Sequence, residues 1–327
     1  MYENKKTNRR MKQLFKINAL ILFAITSFLG CQKNTNNKSW FLVHNSSDIQ
    51  KSVPLAPEII SSKYIEYGGN ISEKYKEVYF TINDANWRSS YAAVSKFKNN
   101  KLISRDTVKF AGKTMQGGDA HLSPDGDKLF IASKFNKDTT RNDGNIWVAN
   151  RTKKGWSKAE KLSSAINTEL GEYSPSQTNS GNIYFTRFHE KTHGDIYVSK
   201  FINGKYQQAQ RLPETVNSKF IECDSWVSPD ESFILFARRS EDGFKDSYGH
   251  FDIYISFNVG GKWSEAKNLG KDYNTKFVEG SPSLTHNFKY ILYTSNRKSE
   301  NPKAFDGSLD IYIQKFDLGK VKSKLSL

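Results

Sequence analysis

From residue 54 onward, short apolar runs rich in aromatic and β-branched residues alternate with stretches rich in Gly, Asn, Ser and Pro. That alternation predicts many short strands joined by turns, not helices. One set of runs comprises Val78-Tyr79-Phe80-Thr81, Leu129-Phe130-Ile131, Ile183-Tyr184-Phe185-Thr186, Ile234-Leu235-Phe236 and Ile291-Leu292-Tyr293-Thr294. A second set is sharper still: Asn145-Ile146-Trp147-Val148, Asp195-Ile196-Tyr197-Val198, Asp252-Ile253-Tyr254-Ile255 and Asp310-Ile311-Tyr312-Ile313. The sets recur in order with a period of about fifty residues, the signature of an array of sheets that must pack on one another to bury their faces. The expected class is all-β.

Two further landmarks complete each repeat. Ser-Pro pairs, at Ser123-Pro124-Asp125-Gly126, Ser174-Pro175, Ser228-Pro229-Asp230 and Ser281-Pro282, read as turns ahead of the first run. Trp156-Ser157-Lys158-Ala159-Glu160-Lys161-Leu162 is echoed at 206–212 and 263–269, while the first repeat, around 91–108, is degenerate. These motifs resemble the Pro-Asp, WD-like repeat of TolB-like proteins, and the resemblance covers nearly everything after residue 54. It implies a β-propeller of four-stranded antiparallel blades around a central channel. Five repeats favour five blades; six is the usual number among TolB relatives, so six stays open.

Residues 56–62 resemble the outer-strand region and following loop of the other repeats. They are therefore expected to complete the last blade, in competition with the tail 319–327. If each blade runs from an inner to an outer strand, the Ser-Pro turns share one face and the connections 134–143, 187–194, 238–250 and 295–308 share the other. The second set is longer than closure requires, so it marks the expected functional face. Candidate binding residues there are Arg187, Arg238, Arg239, His250 and Arg297. To these is added a ring of aligned polar residues before the inner strands: Glu66, Gln116, Glu172, Glu222 and Glu279. Such a ring either holds a basic group, because crowded carboxylates need neutralising, or fastens neighbouring blades together. Asp195, Asp252 and Asp310 read as hairpin cross-links. His189-Glu190-Lys191-Thr192-His193 matches a zinc-peptidase string, but that chemistry needs a helix and this string lies in a hairpin loop. No catalytic residue, metal site or cofactor is expected.

Charge and the N-terminus refine the setting. Net charge is +15, and six of the basic residues lie in the first thirty. The rest are scattered through all repeats without a basic helix, which points to a solvated surface and away from nucleic acid. Lys12 and Lys16 precede an apolar run, 17–30, too short to span a bilayer comfortably. Its end, Ser27-Phe28-Leu29-Gly30-Cys31, resembles a bacterial lipobox, which implies a signal peptide over 1–30 and lipidation of Cys31. The polar stretch 31–53 reads as a tether and 54–327 as a single propeller domain. Cys223 then has no disulfide partner. The expectation is a monomeric, periplasm-facing, membrane-anchored lipoprotein. Its long-loop face would bind or scaffold an envelope protein or glycan, ahead of an alternative as a polysaccharide-active lyase or glycosidase.

Overall fold

The computed structural model describes residues 51–84, 86, 88–99, 101–133, 144–189, 194–239, 245–303 and 308–325. Five sheets, each with a four-stranded antiparallel core, follow one another along the chain, and short extra strands, one of them paired in parallel, join three of them. Blade 1 comprises Ile65–Ser72, Glu77–Asn83, Ser90–Lys98 and Asp106–Thr107. Blade 2 comprises Gly118–Leu122, Lys128–Ser133, Asn145–Thr152 and Glu160–Lys161. Blade 3 comprises Gly171–Gln177, Ile183–Phe188, Gly194–Ser199 and Gln210–Arg211. Blade 4 comprises Ile221–Val227, Phe233–Arg239, Asp252–Val259 and Lys267–Asn268. Blade 5 takes three strands from the end of the chain, Glu279–Leu284, Tyr290–Ser295 and Asp310–Lys315, and its outer strand, Val53–Pro54, from the beginning. Each inner strand packs against the inner strands of both neighbouring blades, and blade 5 meets blade 1, so the ring has five members.

The second strands explain why the apolar runs read so strongly. Phe80, Phe130, Phe185, Phe236 and Tyr293 are fully buried, and their chain neighbours face the opposite blade and are buried too. A strand covered on both faces gives a continuous apolar run in place of alternation. Aromatic pairs stitch blade to blade: Tyr79 meets Trp156 edge-on at 5.8 Å, and Tyr184 meets Trp263 at 6.1 Å.

Closure follows the N-terminal route, but the pairing strand is Val53–Pro54, ahead of the expected 56–62 and starting within the stretch expected to be a tether. Val53 pairs Ile313, Pro54 pairs Tyr312, and Leu55 N–H donates to Ile311 O at 2.8 Å. Residues after it make the same short helical turn that follows the other outer strands: Ile60 N–H donates to Ala56 O as Asn167 N–H does to Ser163 O and Asn217 N–H to Pro213 O. The C-terminal tail instead forms a short helix, Leu318–Lys324, capped by Asp317 and burying Val321.

Two landmarks require correction. Ser174-Pro175 and Ser281-Pro282 are not turns but lie within the inner strands of blades 3 and 5. Both serines have positive φ, 50° and 45°, at a bulge where the ladder shifts register, so the following proline costs no ladder hydrogen bond. The turns equivalent to Ser123–Gly126 begin at Thr178 and Thr285. Gln116 is also one residue out of alignment. Gly117 N–H donates to Ser90 O just as Glu66, Glu172 and Glu279 N–H donate to Leu309, Gly144 and Phe251 O.

Candidate functional site

The aligned glutamates fasten blades together. Glu66, Glu172, Glu222 and Glu279 are all fully buried. Each accepts the backbone N–H and hydroxyl of a Ser or Thr four residues earlier: Ser62, Thr168, Ser218 and Thr275. Each also pairs with an arginine: Arg105 at 3.4 Å, Arg187 at 2.8 Å, Arg238 at 2.6 Å and Arg297 at 3.0 Å. Arg187, Arg238 and Arg297 lie over the rings of Tyr197, Tyr254 and Tyr312. Arg187 and Arg238 donate in addition to the carbonyls of Ile166 and Val216. A buried carboxylate with these donors is occupied internally, so the geometry favours the fastening reading over an open ring. Arg187 and Arg238 are likewise buried, not loop charges free to meet a partner. Burial pushes the Glu66 carboxyl up to about 7 and raises that of Glu222.

The other candidates divide. Arg239 is exposed at the end of its strand, and Gln116, also exposed, donates to the Tyr91 hydroxyl at 3.3 Å. His250 stacks edge-on to Phe251. Cys31 and His193 lie outside the described residues.

A different ring lines the channel. Two residues beyond each glutamate position, the inner strands carry a left-handed residue: Gly68, Asp119, Ser174, Asp224 and Ser281, with φ between 45° and 68°. The bulge turns these positions toward the axis, where all five residues surround a constriction of about 40 Å³. Ser174 N–H donates to Asp119 Oδ2 at 3.0 Å, and its hydroxyl donates to Asp224 Oδ1 at 2.9 Å. Ser281 donates its N–H and hydroxyl to Asp224 Oδ2 at 3.1 and 2.8 Å. The Tyr67 hydroxyl hydrogen-bonds Asp119. Gly118 makes room for it, since a Cβ there would stand 2.6 Å from that oxygen. Desolvation, then the nearby Asp224 charge, push the Asp119 carboxyl up to about 6.

On the long-loop side the constriction widens into a pit of about 390 Å³, walled by Tyr67, Tyr173, Phe188, Phe251, Val278 and Leu309 and floored by Asp119 and Asp224. Phe188 is 39% exposed and braced edge-on by Tyr173 at 5.7 Å. On the Ser-Pro side it opens into a second cavity of about 330 Å³. His121 lines both that cavity and the constriction, and burial lowers its imidazole to about 4. In four blades this ring lies two residues after the aligned glutamate, a spacing visible in the sequence, and in blade 2 it lies three residues after Gln116.

No protein-family model matches the chain, and no curated protein sequence matches it either. Solved structures do. An α-L-arabinofuranosidase from Lactobacillus brevis superposes with a TM-score of 0.51 at 10% identity, covering 81% of this chain and 93% of that one. The chain is a β-propeller. TolB from Acinetobacter baumannii matches this propeller at a TM-score of 0.48 and 15% identity over 77% of the chain, which spans only 55% of that protein. A putative TolB from Agrobacterium tumefaciens matches at 0.49 and 15%, covering 78% and 92%. The blades described above meet the expectation of a propeller, and the likeness to these structures is one of fold. Among the described residues no helix is long and apolar enough to cross a membrane.

Proposed function

We propose that the propeller is a binding or scaffolding module, tethered through lipid on Cys31, whose long-loop face holds an envelope protein or glycan on the periplasmic side. The observation that carries this reading is the pit at the centre of that face. Its walls are aromatic and its floor is acidic, which is the composition of a recognition site with a few placed polar groups. The test is capture from envelope extract, with a glycan array alongside, comparing the wild type with Phe188→Ala and with an Arg239→Ala, Lys245→Ala double variant. All three side chains are exposed, so capture should fall while the melting temperature holds. Unchanged capture by both variants, with loss on substitution of Asp125 or His286, would move the functional face to the Ser-Pro side.

One observation favours a second reading, a polysaccharide-active enzyme. Asp119 and Asp224 share one cavity, and a carboxyl near 6 can hold and release a proton at neutral pH. Release of reducing ends from envelope polysaccharide, abolished in Asp119→Asn, would establish it.

A further inference from the structure

We propose that the constriction and the pit above it form a site for an alkylammonium group, its nitrogen held between Asp119 and Asp224 and its carbon chain lying against the aromatic walls. The inference deepens the binding reading of the long-loop face and rests on it.

Three observations converge. First, among the described residues neither cavity is lined by a lysine or an arginine, although the chain carries 49 of them. Asp119 and Asp224, joined through the backbone N–H and the hydroxyl of Ser174, have no cationic partner among the described residues. Second, the remaining unsatisfied polar atoms are suited to accept. Ser225 Oγ lines the constriction without a hydrogen-bond partner in a residue only 5% exposed. Asn83 Oδ1 lines the pit, also unpartnered, in a residue 2% exposed. An unpartnered amide oxygen and an unpartnered hydroxyl, each able to accept, suit a ligand that donates, and an ammonium group offers three N–H donors. Third, Tyr67, Tyr173, Phe188 and Phe251 surround the approach, and aromatic faces attract organic cations. No group of three metal-ligating side chains occurs among the described residues, and aromatic walls offer nothing to a hydrated metal ion.

A primary amine on a flexible chain has two sources, a free polyamine or a lysine side chain of a partner protein. Titration calorimetry on the whole protein separates them, using spermidine for the first and Nα-acetyl-lysine methylamide for the second. The uncharged norleucine analogue and sodium chloride of matched ionic strength serve as controls. At least one amine should bind with a dissociation constant below about 10 mM, and the norleucine analogue should not. Asp224→Asn should weaken that affinity by about tenfold or more, and Phe251→Leu by about threefold. Phe251→Leu leaves every hydrogen bond of the ring in place, so it keeps the test open if the aspartate variant folds poorly. Binding of spermidine alone identifies a free polyamine, and binding of the lysine amide alone identifies a protein-borne amine. Absence of binding by both amines, equal binding of the norleucine analogue, or affinity unchanged in both variants would overturn the site. Where the lysine amide binds, capture of a partner that survives in Asp224→Asn but falls in the Arg239 and Lys245 variant would overturn the amine site while leaving the binding face intact.

Discussion

Glu222 and Arg238 show how one position can carry a blade boundary. The carboxylate is fully buried and takes two bonds from Ser218 and one from Arg238 at 2.6 Å, while Arg238 also reaches the Val216 carbonyl. Removing either partner strands a buried charge. Arg238→Ala should therefore cost about 3 kcal/mol, and Glu222→Gln about 2 kcal/mol, because the amide keeps some of the bonds. Urea unfolding reads both, with exposed Arg239→Ala as a control expected within about 0.5 kcal/mol. Asp119 behaves oppositely. It faces Asp224, Ser174 and Tyr67, with His121 two residues along, and its native carboxyl sits near 6 against an unfolded value of about 3.9. A raised carboxyl destabilises the fold above pH 6, and that penalty fades as pH falls toward 4. Asp119→Asn should thus raise the melting temperature at pH 8, with the gain shrinking toward pH 5, where the native carboxyl already holds its proton. A gain that does not change with pH would mean that Asp119 is not the group responsible.

The element that closes the ring is two residues long, yet it covers the edge of blade 5 and brings Leu55 and Ile60 into the core. Deleting residues 53–60 exposes the edge strand Asp310–Lys315 and also removes the Ile60 carbonyl that Arg105 binds at 2.9 Å. The expected outcome is a large drop in melting temperature and concentration-dependent association, measured by calorimetry and light scattering. The C-terminal helix contributes more than a frayed tail would. Val321 is buried against the cluster containing Tyr273 and Phe316, so Val321→Ala should cost about 1–2 kcal/mol. A Val321→Ala loss equal to that of the N-terminal deletion would show that closure is shared between the two chain ends.

At the scale of the whole molecule, five inner strands bulge at the same point and present the bulged residue to a common axis. The propeller thereby gathers groups from residues 67 to 281 into a constriction that no single repeat contains. The repeat pattern by itself determined the all-β class and a repeating array of sheets; it favoured five blades and closure by the N-terminal segment but left six blades and the C-terminal tail open. The class depends on local periodicity, which one strand and its turn express completely, whereas blade number and closure depend on which distant strands meet. The fastening glutamates were also legible, as Asn-Thr or Asn-Ser followed by Glu at 167–172, 217–222 and 274–279, but their role was not. A glutamate spacing is the same whether its carboxylate faces solvent or a buried arginine, and Arg187 and Arg238 become partners only once the second strand folds beside the first. Tertiary structure likewise decided that Ser174 and Ser281 belong to bulges and that Asp119 and Asp224 share one channel. Those facts depend on a backbone twist of one residue and on the meeting of strands about a hundred positions apart, and burial, the physical cause of the charge shifts there, exists only in the assembled ring.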